Sequence, residues 1–241
     1  MSMFASVAKL LAEMSGVDLR RMSPMSNAGL QVAEIIKRQG FNLVFDVGAN
    51  LGQFATDLRK HKYEGRMVSF EPLSQAHRKL CEEAKSDPKW IVHRRCGLGS
   101  ESGKAVINIA ANLASSSILE MNQVHIDAAP YSAYNGSEEI DVLRLDEVAQ
   151  DYLTPSSKAF LKIDTQGFEQ QVLEGAGKVL DQFDGALLEL SLVKLYDGQK
   201  LWLDLVNLLS KRGLDLWVVN QGFVEPHSLR TLQVDGLFLR Q

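Results

Sequence analysis

The chain has 241 residues, of which 45% are hydrophobic and 23% charged, and its formal net charge is −4. This length fits one α/β domain, the composition is typical of a globular protein, and the negative charge argues against a nucleic-acid partner. No apolar run approaches the roughly 20 residues of a membrane span, and the N-terminus lacks the charged region of a signal peptide. Cys81 and Cys96 have no spacing that suggests a disulfide framework or a zinc site. We therefore expect a cytoplasmic protein.

Residues 1–40 are predicted to form a helical arm in front of a main domain at residues 41–241. Apolar residues have helical spacing in two stretches of this arm, which a polar linker separates. They are Phe4, Val7, Leu10, Leu11 and Met14 in the first stretch, and Leu30, Val32, Ile35 and Ile36 in the second. Packing of the arm on the domain is the simplest interpretation, and a cover over the active site or a homodimer contact are the alternatives.

The most informative stretch is residues 43–53, Leu-Val-Phe-Asp-Val-Gly-Ala-Asn-Leu-Gly-Gln. Its apolar start predicts a buried central strand with Asp46 near the carboxyl end. A tight turn before a helix is predicted next, because the strand is followed by Gly48, Ala49, Asn50 and Gly52. A strand, a glycine turn and a helix in this order are typical of a nucleotide-type site at the edge of a parallel sheet. An ordinary strand-to-helix connection, which also favours Gly and Asn, is the alternative.

The turn differs from the dinucleotide fingerprint G-x-G-x-x-G, because Asn50 stands where the second glycine would be. Asparagine tolerates a left-handed backbone, so the turn can still close. Its side chain, however, fills the space where a pyrophosphate would approach the backbone. The turn therefore favours a ligand that has an adenosine group and no diphosphate.

Glu71 supplies the second part of this site. Residues 67–70 predict a short strand, and Pro72 ends it because proline cannot extend the hydrogen-bond ladder. Glu71 follows Asp46 by 25 positions (71 − 46), close to the roughly 20-residue offset of an acidic ribose ligand in a βαβ unit. An ionised carboxylate can accept hydrogen bonds from both ribose hydroxyls. A solvated glutamate at a strand end is the alternative.

Four segments then occur in a fixed order: Val-Phe-Asp-Val-Gly-Ala-Asn-Leu-Gly-Gln at 44–53, Ser-Phe-Glu-Pro at 69–72, Leu-Lys-Ile-Asp-Thr-Gln-Gly-Phe-Glu at 161–169 and Val-Leu-Glu-Gly at 172–175. In this order they resemble the FkbM family of S-adenosylmethionine-dependent methyltransferases. The resemblance runs from about residue 28 to the C-terminus. It implies S-adenosylmethionine as the methyl donor and O-methylation of a small hydroxylated acceptor, a sugar or a natural product.

The resemblance also assigns the donor-binding residues. The turn residues with Asp46 would hold the amino-acid end of the donor, and Glu71 with Pro72 would hold the ribose. Cys96 and Gly97, which follow the third predicted strand, would lie near the adenine ring.

Asp164 ends the strand predicted at residues 160–164 and so lies at the carboxyl edge of the sheet, beside the glycine turn. Three roles are open to it: a general base for the acceptor hydroxyl, a ligand of a divalent cation, or a structural partner of Lys162 on the same face. Glu189, at the end of the next strand, could supply a second carboxylate for catalysis or for a metal. A metal is not favoured, because the strand of Asp164 has no second carboxylate on that face.

His125 is the third catalytic candidate, since an imidazole titrates near neutrality. It lies in residues 111–137, which are predicted to be irregular and whose polar and aromatic residues suit a hydroxylated acceptor. A solvated histidine in a surface loop is the alternative.

The last two predicted strands, at residues 214–219 and 232–239, have no helix between them and should pair antiparallel. We therefore predict an α/β fold with one Rossmann-like, seven-stranded methyltransferase sheet, mainly parallel with a C-terminal antiparallel hairpin. The hairpin and the missing glycine disfavour a nicotinamide-dependent oxidoreductase. A non-catalytic protein that binds an adenosyl ligand is the remaining alternative.

Overall fold

A computed structural model describes Lys9, residues 12–19 and residues 21–241. In chain order the strands are β1 (Leu43–Val47), β2 (Arg66–Phe70), β3 (Trp90–Val92), β4 (Gly97–Leu98), β5 (Gly103–Ala110), β6 (Tyr134–Leu143), β7 (Ala159–Ile163), β8 (Phe183–Ser191), β9 (Leu214–Gln221) and β10 (Gln233–Arg240). The helices are α1 (Ala28–Arg38), α2 (Gln53–Lys60), α3 (Ser74–Ala84), α4 (Gln123–Ala128), α5 (Leu145–Val148), α6 (Glu169–Ala176) and α7 (Trp202–Ser210). Short 3₁₀ turns occur at Pro130–Ser132, Ala149–Asp151 and Gly177–Gln182.

The main sheet has seven strands in the order β3-β2-β1-β7-β8-β10-β9. The first five strands of that order pair parallel, and β10 is antiparallel to both of its neighbours. The predicted mainly parallel sheet with a C-terminal antiparallel hairpin is therefore confirmed. Every residue of β1 and β7 is buried, as expected for central strands that helices cover on both faces.

Successive residues of the central strands enter two different apolar cores. Phe45 and Leu161 pack in the core that α5, α6 and α7 cover. Val44 and Phe160 pack in the opposite core, beneath α1, α2 and α3. This alternation follows from the period of two residues along a strand, and it fixes the register of β1 against β7.

The described part of the N-terminal arm contacts the main domain through α1. Val32, Ala33 and Ile36 of this helix are buried against the sheet, and Asn27 caps its first turn by accepting a hydrogen bond from Leu30 N at 2.8 Å. Of the first predicted apolar stretch, Met14 is exposed, and Phe4, Val7, Leu10 and Leu11 lie outside the described residues. The division of the chain at residue 40 stays a prediction.

A second, three-stranded sheet with the order β4-β6-β5 lies beside the main one. Sequence analysis did not predict it as a separate sheet, because the pairing of β5 with β6 joins segments about 30 residues apart in a register that local patterns do not fix. Its buried side, with Ile107, Ile140 and Val142, packs on Leu73 and Ala76 at the start of α3. The expectation that residues 111–137 are irregular throughout is wrong, because the segment contains α4 and the beginning of β6.

Gly175 is the position at which α6 packs against the second sheet. A Cβ atom at this position of α6 would lie 1.9 Å from the carbonyl oxygen of Gly99, in the turn between β4 and β5. Only glycine allows the helix to approach that backbone so closely. This contact gives a physical reason for the last residue of the Val-Leu-Glu-Gly segment.

We expect Gly175→Ala to lower the free energy of unfolding by about 1–3 kcal/mol, because the added methyl group meets backbone atoms that have no room to move. Helix propensity alone would raise it by about 1 kcal/mol, so the sign of the change measured by urea unfolding is decisive. The control is Gly103→Ala, where an added Cβ has no neighbour within 4 Å and the change should stay below about 0.5 kcal/mol. A Gly175→Ala variant at least as stable as the parent would contradict the close contact.

Candidate active site

A cavity of about 450 Å³ opens at the carboxyl edge of the central strands of the main sheet. This is the edge at which open α/β sheets bind ligands. Most of the residues predicted for the site line the cavity: Gly48, Ala49, Asn50, Glu71, Pro72, Cys96, Gly97, Asp164 and Glu189. The motifs that lie far apart in the sequence therefore meet in one place.

The turn after β1 forms one wall of the cavity. Gly48 has φ +73°, and a Cβ atom there would lie 1.9 Å from the carbonyl oxygen of Asp164, so glycine is required where the ends of β1 and β7 meet. Asn50 has φ +49°, which confirms the predicted left-handed backbone. The Oδ1 atom of Asn50 is buried and accepts no hydrogen bond from the described residues. A bound ligand could supply the missing donor.

Glu71 is buried beside this turn, with 4% of its surface exposed, so the alternative of a solvated strand-end carboxylate is wrong. Its Oε2 atom accepts a hydrogen bond from Asn50 N at 2.7 Å, and its Oε1 atom accepts one from Leu73 N at 2.9 Å. Burial raises the pKa of Glu71 to about 7, although the two backbone hydrogen bonds act in the opposite direction. Each oxygen keeps a lone pair for a ligand hydroxyl.

An apolar wall adjoins Glu71. It consists of Phe70, Leu73, Cys96, Gly97, Leu98, Ile107, Leu113 and Ile118. Gly97 lies close to Pro72, whose Cβ would be 3.7 Å from a Cβ at that glycine. Burial raises the pKa of the Cys96 thiol to about 12, so this side chain is a neutral, apolar contact. The wall suits a flat, weakly polar ring.

Lys162 lies at the floor of the cavity and is held by Asp46. The Lys162 ammonium is 3.0 Å from Asp46 Oδ1 and 3.6 Å from Asp164 Oδ2, and it donates to the carbonyl oxygen of Gly48 at 3.0 Å. Burial lowers the pKa of Lys162, but the carboxylates of Asp46 and Asp164 outweigh this effect and the net shift is upward. Asp46 is fully buried and is absent from the lining of the cavity. The structure places it behind Lys162, where it keeps the ammonium ion charged.

Gln166 connects two of the predicted catalytic residues. Its Nε2 atom donates to Asp164 Oδ1 at 2.9 Å and to Glu189 Oε2 at 2.8 Å. Its backbone has φ +52°, and its Oε1 atom accepts a hydrogen bond from the Tyr196 hydroxyl at 2.8 Å. Sequence reasoning missed this residue, because its position in the Asp-Thr-Gln-Gly turn does not reveal where the amide points.

Asp235 adds a further carboxylate that sequence analysis missed. It lies opposite Glu189 in the pairing of β10 with β8, and both residues line the cavity. Burial and then the Asp164 carboxylate raise the pKa of Asp235 to about 6. Burial and the carboxylates of Asp164, Glu169 and Asp235 raise the pKa of Glu189 well above its ordinary value. The signal that could have found Asp235 is the antiparallel hairpin, once its register is known.

Besides Asp46, two further predicted site residues are absent from the lining of the main cavity. His125 is in α4 with 3% of its surface exposed and lines a smaller, neighbouring cavity of about 180 Å³. The alternative of a solvated loop histidine is therefore wrong, and burial lowers the pKa of His125 to about 4. Gly52 has φ +87° and supports the turn structurally, because a Cβ there would lie 2.7 Å from the Trp90 ring.

Within the described residues, no group of three or more His, Cys, Asp and Glu side chains is arranged to hold a metal ion. None of the described helices combines the length and the apolar character that crossing a lipid bilayer requires.

The strand order and the glycine turn at the carboxyl edge define the chain as a Rossmann-like methyltransferase fold. Residues 46–216 match the sequence model of the methyltransferase FkbM domain, so the chain belongs to the FkbM methyltransferase family. The methyltransferase sdnD of Sordaria araneosa is 25% identical over an alignment of 198 residues that covers 72% of this chain and 73% of that protein.

The solved structures found to be similar have little sequence identity to this chain. A candidate O-methyltransferase from Klebsiella pneumoniae has a TM-score of 0.52 and 8% identity, over 100% of this chain and 91% of its own. Fibrillarin from Aeropyrum pernix, solved with natively bound S-adenosyl-L-methionine, has a TM-score of 0.47 and 10% identity, over 83% of this chain and 66% of its own. At these identities the likeness to solved structures concerns the fold alone.

Glu169, at the start of α6, holds the turn that follows β7. Its Oε1 atom accepts hydrogen bonds from Thr165 N and Gly167 N, both at 3.1 Å, and from Thr165 Oγ1 at 3.2 Å. Burial raises the pKa of Glu169 to about 7, although these hydrogen bonds lower it.

The folded chain therefore binds protons at Glu71 and Glu169 more tightly than the unfolded chain does. As a result, stability should fall as the pH rises from about 4.5 to about 7.

We expect Glu169→Gln to reduce this pH dependence, because the amide oxygen can accept the same hydrogen bonds and the titrating proton is gone. One proton accounts for at most about 1.4 kcal/mol per pH unit, so the slope between pH 5 and 7 should become shallower by up to that amount. Urea unfolding at several pH values measures the slope, and Glu82→Gln on the exposed side of α3 controls for the loss of one charge. An unchanged slope in Glu169→Gln would mean that Glu169 is ionised in the folded chain throughout this range.

Proposed function

We propose that this chain is an S-adenosylmethionine-dependent O-methyltransferase that acts on a hydroxyl of a sugar or natural-product acceptor. One observation carries the proposal: a single cavity has the Glu71 carboxylate and an apolar wall in one part and the Asp164 and Glu189 carboxylates in another. The first part suits an adenosine group, and the second suits the proton of an acceptor hydroxyl. Membership of the FkbM family supports the same assignment.

The residues of the cavity fit the donor. Both Glu71 oxygens can accept hydrogen bonds from ribose hydroxyls, and the apolar wall with Cys96 and Gly97 can contact the adenine ring. The unpartnered Oδ1 of Asn50 can accept a hydrogen bond from the amino group of the donor's amino-acid end. When bound, the donor supplies a methyl group made electrophilic by its sulfonium.

Asp164 and Glu189 are the residues we assign to the acceptor. Gln166 holds both carboxylates by hydrogen bonds, so they keep their positions as an acceptor approaches. Because its pKa is raised, Glu189 is a stronger base than an ordinary carboxylate when it is ionised. The alignment of the two reactants and the exclusion of water supply the rest of the rate enhancement. His125 is a weaker base candidate because of its low pKa.

A nicotinamide dinucleotide fits the same cavity poorly. The acidic side chains in its lining are Glu71, Asp164, Glu189 and Asp235, and Lys162 is the one Lys or Arg among the described lining residues. Because Asp46 neutralises that lysine, the described lining offers no unpaired cation to two phosphates, whereas a cationic sulfonium would lie beside carboxyl groups.

We expect S-adenosylhomocysteine, and not NAD, to raise the melting temperature of the parent protein. A ligand present at 100 times its dissociation constant stabilises the fold by about 2.7 kcal/mol. Glu71→Ala should weaken binding of S-adenosylhomocysteine at least tenfold and remove any preference over its 2′,3′-dideoxy analogue. Calorimetric titration measures both effects.

Glu138→Gln is the matched control for Glu71→Ala. Glu138 also accepts a backbone hydrogen bond near α3, from Ser74 N at 2.6 Å, but it does not line the cavity. Its replacement should leave both affinities within twofold of the parent. If Glu71→Ala kept the preference for the intact ribose, the assignment of Glu71 to the ribose would be wrong.

We expect Asp164→Asn to lower the rate of methyl transfer at least 100-fold while the affinity for S-adenosylhomocysteine stays within twofold, because proton transfer by a positioned base contributes about 10²–10⁴-fold. The asparagine oxygen can keep the hydrogen bond from Gln166. Transfer of a radiolabelled methyl group to a panel of hydroxylated acceptors measures the rate, with and without EDTA. Methyl transfer at the parent rate would remove Asp164 from the mechanism, and failure of the parent on every acceptor would favour a non-catalytic binder.

A further inference from the structure

A second cavity of about 180 Å³ adjoins the main one. Ala114, Gln166 and Glu189 line both cavities, so these residues form the boundary between them. The carboxylate that we assign to the acceptor therefore belongs to both spaces. A molecule in the second cavity would therefore lie beside Glu189.

Aromatic rings form much of the wall of the second cavity. They belong to His125, Tyr131 and Phe223. The His125 ring is fixed by its neighbours, with its centroid 5.3 Å from that of Tyr196 and 5.4 Å from that of Phe223. Its Nδ1 atom is buried and has no hydrogen-bond partner among the described residues. A buried, unpartnered ring nitrogen in the lining of a cavity requires a polar partner, and a ligand hydroxyl would provide one.

Besides the His125 imidazole and the Tyr131 hydroxyl, the polar side-chain groups in this lining are amides, a serine and one carboxylate. Glu189 Oε2 accepts hydrogen bonds from Gln166 Nε2 and Gln233 Nε2, both at 2.8 Å, which leaves Oε1 for a ligand. The described lining residues include no Lys or Arg, so an anionic group would meet the Glu189 carboxylate without a compensating cation. The cavity has the volume of about six water molecules, which is the scale of one six-membered ring.

We propose that the second cavity is the acceptor subsite and that it binds one neutral, polyhydroxylated ring, such as a pyranose, between Phe223 and Tyr131. In this subsite His125 Nδ1 bonds one ring hydroxyl, and Glu189 Oε1 accepts a hydrogen bond from another. Aromatic faces pack against the C–H groups of such a ring, and the amides bind its remaining hydroxyls. Naming this ligand as the acceptor rests on the proposed methyltransferase function.

Saturation-transfer NMR tests the subsite directly on the full chain with S-adenosylhomocysteine present. The probes are the methyl pyranosides of glucose, galactose, mannose and rhamnose, with glucuronic acid and cyclohexanol for comparison. We expect at least one neutral pyranoside to bind, and glucuronic acid and cyclohexanol to bind at least tenfold more weakly. Absence of binding by every pyranoside, or equal binding of cyclohexanol, would overturn the proposal.

Two variants locate the probe in the second cavity. His125→Phe removes the ring nitrogen and keeps an aromatic ring, and Ala129→Leu fills space in the lining. Each should weaken pyranoside binding at least tenfold and leave the affinity for S-adenosylhomocysteine within twofold, which also shows that the variant is folded. Unchanged pyranoside binding in both variants would place the probe elsewhere and overturn the subsite. If pyranosides bind through His125 but S-adenosylhomocysteine does not bind, the methyltransferase proposal is wrong and the sugar-binding subsite stands.

Discussion

The ion pair between Lys162 and Asp46 is the interaction on which the rest of the site depends. The two residues lie directly opposite each other in the pairing of β7 with β1, at the centre of the main sheet, with their charged atoms 3.0 Å apart. Both are buried, so the loss of either partner would leave an uncompensated charge in the core, which typically costs about 3–5 kcal/mol. Because the same ammonium bonds the carbonyl oxygen of Gly48, the pair also fixes the glycine turn against the end of β7. The pairing of β7 with β1 therefore determines where Lys162 lies at the floor of the cavity.

The carboxylates of Asp164 and Glu189 need a separate explanation, since Asp46 already balances the charge of Lys162. Asp164 and Glu189 would repel each other if they were adjacent and both ionised. Gln166 relieves this repulsion because its Nε2 group donates to both carboxylates. The orientation of that amide is fixed in turn, since its Oε1 accepts from the Tyr196 hydroxyl and its backbone oxygen accepts from Ser117 Oγ at 2.7 Å. A left-handed backbone at Gln166 is the conformational cost of this arrangement.

The part of the cavity that we propose for the donor could be located from the sequence because each of its parts is local. A buried strand followed by a turn indicates where a carboxyl edge lies, and this rule located Asn50, Glu71 and Asp164. The same rule could not tell that the side chain of Asp46 faces Lys162 and is absent from the cavity lining, because that depends on the register of β1 against β7. Asp235 was missed for a similar reason, since its position opposite Glu189 depends on the register of the terminal hairpin. The second sheet and the burial of His125 depend on tertiary packing, which has no local pattern in the sequence.

The two cavities differ in how well the sequence predicts them, because different structural elements line each of them. Strand ends of the main sheet position the residues that we propose for the donor, and the hydrogen-bond ladder of the sheet constrains them strongly. Most residues that line the second cavity come from α4, from the segment around Ser115 and from loops, which lie outside the ladder of the main sheet; Glu189 of β8 and Gln233 of β10 are the exceptions. Such connecting segments can change in sequence without disturbing the sheet. If the second cavity binds the acceptor as proposed, recognition of the acceptor can vary while the main cavity stays the same, and the motifs of the main cavity by themselves do not identify the acceptor.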